Sequence, residues 1–121
     1  MRWMALPAMA IALGGCSQVE LYQFESAAKD AVKQSLVDPD SAQFRDLRIM
    51  RRSEHERILC GELNARNRMG GYTGFTPFYI VGNSTHELTF DLPHSMPQTT
   101  EPAAEFEAFM ASYRQNCSAK A

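Results

Sequence analysis

Between residues 19 and 37 the apolar positions Leu21, Phe24, Ala28, Val32 and Leu36 recur in steps of three or four. That is the spacing of one face of an amphipathic helix. Lys29, Asp30, Lys33 and Gln34 fall on its wet side. Asp38-Pro39-Asp40-Ser41 ends the pattern: Pro39 holds Asp38 extended and offers its own fixed φ to a turn. The period then changes. In residues 44–51, Leu47 and Ile49 share a face opposite Asp46 and Arg48, which predicts a strand. Ser53-Glu54-His55-Glu56 reads as a hairpin turn. Residues 57–66 alternate Leu59, Leu63 and Ala65 with Glu62, Asn64 and Arg66, and Gly61 is a candidate bulge. Residues 75–81 are aromatic and β-branched, and residues 87–92 alternate Leu88, Phe90 and Leu92 with polar neighbours. Gly82-Asn83-Ser84-Thr85 joins these two segments as a turn. After a proline-punctuated connector over residues 93–100, Phe106, Phe109, Met110, Tyr113 and Cys117 form one stripe of a second helix over residues 102–117. Pro102, Glu101 and Glu105 suit its first turn.

The expected fold class is α+β: an N-terminal helix, a three- to four-stranded antiparallel sheet and a C-terminal helix packed on one face, in one pair of layers. A chain of 121 residues has room for one domain. Its 45% hydrophobic and 21% charged content is that of a globular chain rather than a disordered one.

Residues 1–15 carry a different pattern. Arg2 is followed by an apolar stretch from Met4 to Leu13, broken only by Pro7, and then by Gly14 and Gly15. That stretch is about half the length a membrane-spanning helix needs and suits a signal-peptide core. Leu13-Gly14-Gly15-Cys16 resembles the bacterial lipobox, in which an aliphatic residue and two small ones precede the cysteine that becomes the lipidated first residue. The resemblance implies a signal peptide over residues 1–15, a lipidated (palmitoylated) Cys16 and a mature domain over residues 16–121. Acyl chains contribute about 0.8 kcal/mol per buried methylene, so two or three give stable anchoring. Ser17, rather than Asp, after the cysteine implies the outer membrane in that sorting pattern, facing the periplasm. The expected setting is therefore the bacterial cell envelope, with the membrane as a partner through the lipid.

Three cysteines in an exported chain leave an odd thiol to explain. Lipidation of Cys16 leaves Cys60 and Cys117 as an even pair in a compartment where disulfides persist. Neither has a second Cys or His at ligand spacing, and His55, His86 and His94 are scattered as surface or loop residues, so no metal and no cofactor is expected.

Charge alters this picture locally. The formal net charge is −2, and Arg2 is the only charged residue before Cys16, so its removal leaves −3. Nucleic-acid-binding domains carry a marked basic excess, and no nucleic-acid partner is expected. Seven arginines nevertheless lie between residues 45 and 68 (45, 48, 51, 52, 57, 66 and 68) against the four acids Asp46, Glu54, Glu56 and Glu62, a local balance of +3. That segment is either a solvated strand face or a patch, centred on Arg51 and Arg52, for an anionic surface or an acidic partner.

Two motifs stand out: Asp38-Pro39-Asp40-Ser41-Ala42-Gln43-Phe44, and the run from Cys60-Gly61 through Asn64, Asn67, Gly70-Gly71-Tyr72 and Gly74-Phe75. They resemble a group of small exported bacterial proteins sharing D-P-x-S-A-x-F followed by C-G-x-x-N-x-x-N-x-x-G-G-Y-x-G-F. The resemblance covers a little over a third of the chain and implies a grouping without an activity. The glycines do not form a phosphate-binding loop, because they lack the Lys-Ser ending and do not open a helix. They are expected to supply positive φ in a tight connection, with Asn64 and Asn67 bonding backbone amides. An active site of Asn64, Asn67, Tyr72 and His86 lacks an evident nucleophile or base, and Ser41 and Ser84 have no histidine at a recognisable spacing. The expected function is thus a non-catalytic binding or structural accessory of the envelope, contacting a protein or polymer through Asn64, Asn67, Tyr72, Arg51 and Arg52. The alternative is a small enzyme or enzyme inhibitor working through residues 64–74. A pocket at Asn64, Asn67 and Tyr72 favours the alternative; a flat patch favours the accessory.

Overall fold

The computed structural model describes residues 16–95 and 103–118. The expectations placed on residues 1–15, Glu101 and Pro102 lie outside them. The elements follow in the order α1 (Cys16–Gln34), a 3-10 turn (Pro39–Ser41), β1 (Gln43–Arg51), β2 (Glu56–Asn64), β3 (Thr76–Asn83), β4 (Thr89–Phe90), β5 (His94–Ser95) and α2 (Ala103–Cys117). The fold is α+β, as the periodicities predict. Among the described residues no helix is long and apolar enough to cross a membrane.

The sheet is antiparallel, with β2 central between β1 and β3. β4 and β5 both pair with the far side of β3, through Gly82↔Phe90 and Asn83↔Thr89 and through Phe78↔Ser95 and Tyr79↔His94. They are two pieces of one edge strand. Pro93, which has no N–H to give, sits in the gap between them. Only Thr89 and Phe90 of the expected 87–92 strand join the ladder, and Leu88 and Leu92 are exposed.

The layering differs from the expected pair. Phe24, Ala28 and Val32 of α1 pack on Leu59, Leu63, Phe78 and Ile80. Phe109 and Cys117 of α2 pack on Ile58, Cys60, Tyr79 and Val81. Because successive side chains of a strand point to opposite faces, these two sets lie on opposite sides of the sheet. The molecule is three layers, helix–sheet–helix. The runs Ile58-Leu59-Cys60 and Phe78-Tyr79-Ile80-Val81 are the signature of strands covered on both faces.

Cys60 and Cys117 form a disulfide with Cα atoms 5.9 Å apart, tying the central strand to the last residue of α2. Arg48 reinforces the same joint. Its guanidinium donates to the Tyr113 hydroxyl (2.9 Å) and to the Cys117 carbonyl (3.4 Å), placing a cation at the helix C-terminus where the macrodipole favours one.

The irregularity expected at Gly61 lies across from it. The β1–β2 register shifts between Arg45 and Arg48, so Asp46 and Leu47 together oppose Gly61. Asp46 has φ +54°, a bulge conformation its short polar side chain tolerates. Gly61 is the accommodating partner: a Cβ there would lie 2.7 Å from Leu47 Cδ2 and 3.0 Å from the Arg45 carbonyl oxygen. The bulge, with Arg45, Arg48 and Arg51 around it, also protects the edge strand β1 against pairing with another chain.

Leu21, expected on the buried stripe of α1, is 40% exposed, because the covered part of the helix begins at Phe24. Residues 18–23 are exposed and reach the sheet through the Glu20–Arg57 ion pair.

Candidate functional site

The glycine-rich connection between Asn64 and Thr76 is held by its own side chains. An antiparallel bridge joins Arg66 to Tyr72, and inside it Asn67 N–H donates to the Gly71 carbonyl (2.9 Å) and Gly70 N–H to the Asn67 carbonyl (3.0 Å). Asn67 Oδ1 accepts from the Met69 and Gly71 amides at 3.0 and 3.2 Å. Asn64 is 8% exposed. Its Oδ1 accepts from Gly74 N–H (3.0 Å), while its Nδ2 donates to Gln43 Oε1 (3.2 Å). Gly74 has φ +94° and Gly70 φ +80°, values an L side chain adopts at a cost. Both asparagines thus bond backbone amides, as the sequence predicts.

The two motifs meet in space. Ser41, at the end of the 3-10 turn, donates its hydroxyl to the Asp38 carbonyl (2.7 Å) and accepts from Arg66 N–H (2.9 Å). The Tyr72 hydroxyl donates to the Ser41 carbonyl (3.1 Å). Ser41 and Tyr72 therefore fasten the Asp38–Phe44 motif to the glycine-rich one, and Ser41 is buried and fully engaged.

The candidate surface divides accordingly. Asn64, Asn67 and Tyr72 lie at one end of β2, whereas Arg51 and Arg52 lie at the hairpin turn at the other. At about 3.3 Å per residue a nine-residue strand separates them by on the order of 25 Å. His86 is also remote from Tyr72, since it follows the end of β3 that pairs with Glu56. The quartet Asn64, Asn67, Tyr72 and His86 is not assembled. His55, His86 and His94 are all exposed, and His94 stacks on Tyr79 with ring centroids 4.7 Å apart. Among the described residues no three His, Cys, Asp or Glu side chains converge as a metal site.

The +3 segment is similarly dispersed. Arg45 pairs with Glu62 across the β1–β2 ladder and lies 4.0 Å from the Phe75 ring centroid. Arg52 pairs with Glu56 (3.9 Å) and Arg57 with Glu20 of α1 (3.9 Å). Arg48 is occupied at the end of α2. Among the described residues Arg51, Arg66 and Arg68 form no ion pair, although Arg66 lies over the Tyr72 ring at 5.3 Å.

Two grooves flank these ends. One, of about 390 Å³, includes Arg51, Arg52, Met50 and Asn116. The other, of about 350 Å³, lies beside the glycine-rich loop and includes Arg66, Asn67, Arg68 and Thr73. Asn64 and Tyr72 line neither. The motif points to the two asparagines and the tyrosine, whereas the groove beside the loop is lined by Arg66 and Arg68. The available signal was the absence of any acid between Leu63 and His86.

Comparison with known proteins found no matching family model, no matching curated protein and no matching solved structure.

Proposed function

We propose that this chain is a bacterial envelope lipoprotein, cleaved before Cys16, anchored through it in the outer membrane facing the periplasm, and acting as a non-catalytic binding or structural accessory. The observation that carries the reading is the partition of the cysteines. Cys60 and Cys117 are bonded to each other, which suits an oxidising compartment. Cys16, at the end of the lipobox-like Leu13-Gly14-Gly15, takes no part in that disulfide. The accessory role is supported by the loop: Asn64, Asn67 and Tyr72 direct their polar atoms at backbone groups of the fold itself.

The test is detergent phase separation and intact-mass analysis of the membrane fraction from the native host. The parent chain is expected in the detergent phase with the mass of residues 16–121 plus diacylglyceryl and acyl groups. Cys16→Ser is expected to remain unprocessed or become soluble. A parent without acyl mass, or a variant that fractionates like the parent, refutes the anchor.

A further inference from the structure

We propose that the groove beside the glycine-rich loop binds an acidic protein segment, with Arg66 and Arg68 receiving its carboxylates. This groove, about 350 Å³, lies between the turn after α1, the end of β2 and the start of β3. Among the described residues the charged ones lining it are Arg66 and Arg68, its hydroxyls include Ser35, Thr73 and Ser95, and no carboxylate lines it. Four of the other arginines are matched: Arg45, Arg52 and Arg57 each meet a glutamate, and Arg48 meets a carbonyl and a hydroxyl. The groove at the hairpin end also carries two arginines, Arg51 and Arg52, but there Arg52 meets Glu56, whereas neither Arg66 nor Arg68 meets an acid among the described residues. Asn67 adds to the donors. Its Oδ1 is taken by two backbone amides, leaving the Nδ2 hydrogens to face an acceptor. A guanidinium presents a planar fork that matches a carboxylate, so the complementary ligand is an anion with paired oxygens.

Three observations favour a peptide as its source. The loop is ordered by its own hydrogen bonds, so little conformational freedom is lost when a segment docks. Apolar surface borders the arginines: Val37 lines the groove at 62% exposure, and Met69, next to Arg68, is 94% exposed. These side chains suit the apolar neighbours of an acidic residue, and methionine adapts to varied partners. Finally, the 19-residue α1 runs about 28 Å from Cys16 to the turn that walls the groove. With Cys16 in the bilayer, a step that rests on the proposed anchor, the groove faces away from lipid headgroups by more than a Debye length of about 8 Å.

The test uses the purified full chain in detergent with its disulfide intact. The probe is a labelled acetyl-Glu-Leu-Asp-Glu-Leu-Asp peptide, compared by anisotropy at low ionic strength with its Gln/Asn counterpart carrying the same label. The acidic peptide is expected to bind and the neutral one not to. Amide resonance shifts are expected at residues 35–37 and 66–76. Arg66→Gln with Arg68→Gln should weaken binding about tenfold or more, the scale of one lost charge-assisted contact. Arg51→Gln with Arg52→Gln, at the other end of the sheet, should leave it within about twofold, and thermal melting should report both variants folded. Absence of peptide binding, or binding indifferent to Arg66 and Arg68, overturns the proposal. So does inorganic phosphate competing as well as the peptide, which makes the groove a plain anion site. Binding of phosphatidylglycerol vesicles through the same arginines overturns it in favour of a lipid surface. None of these readouts needs the acyl chains, so an unacylated Cys16 would refute the anchor while leaving the groove measurement intact.

Discussion

The two ends of β2 are both rich in arginine and hold it in different ways. The hairpin end, from Arg51 to Arg57, carries three arginines, and two of them are matched by Glu56 and Glu20. Each pair has one side chain more than half exposed and the other about a third exposed, so the charges are screened and each pair contributes little. The loop end, from Asn64 to Gly74, carries two arginines with no ion pair, on a backbone fastened by Asn64, Asn67, Ser41 and Tyr72. There the polar side chains are spent on the backbone and the cations are left over. A run of arginines in the sequence is therefore not a basic patch, because cross-strand and helix partners cancel it. A run of glycines is not a floppy loop either, because the amide side chains of Asn64 and Asn67 supply the bonds that regular structure does not.

The largest expected effect tests whether the two ends are independently held. Replacing Cys60 and Cys117 by Ala releases a closure spanning 57 positions and should cost roughly 4 kcal/mol in urea unfolding. Hydrogen exchange should quicken most along β1 and the hairpin, which Arg48 ties to the freed end of α2. Equal loss at the loop end would make the sheet one undivided unit and break the distinction.

Asn64→Ala comes next. It removes two part-buried hydrogen bonds, from Gly74 N–H and to Gln43 Oε1, and should cost about 2 kcal/mol. A loss of only a few tenths, measured by the same unfolding, would mean that the loop is not held from Asn64. Tyr72→Phe removes the bond to the Ser41 carbonyl and should cost about 1 kcal/mol. Its effect should be confined to amides of the Pro39–Ser41 turn and of the loop; a shift reaching the hairpin would contradict the separation. The smallest effect belongs to the hairpin. Arg52→Gln should change stability by no more than about 0.5 kcal/mol, vanishing in high salt. A cost equal to that of Tyr72→Phe would show that exposed pairing matters as much as the loop's internal bonds.

The sequence by itself determined what repeats over short range. The steps through Phe24, Ala28 and Val32 and those through Phe109, Tyr113 and Cys117 are local consequences of a 3.6-residue period. The alternation in β1 is the corresponding consequence of a two-residue period. With Cys16 set aside by its lipobox-like context, Cys60 and Cys117 were the expected pair, and the chemistry of asparagine beside glycine determined that Asn64 and Asn67 would bond loop amides. Tertiary structure decided which of these local pieces meet. The two helices cover opposite faces of the sheet because Ile58-Leu59-Cys60 is apolar on both sides, a property that alternation alone does not reveal. The bulge fell to Asp46 instead of Gly61 because the glycine's missing Cβ is what lets the opposite strand come close. Ser41 met Tyr72 across 31 positions, and Arg57 met Glu20 across layers, so the charge that the sequence concentrates in one segment was mostly matched at the hairpin and left unmatched at Arg66 and Arg68. Periodicity reports the direction in which a side chain points relative to its neighbours; what it touches depends on chain paths that only packing selects.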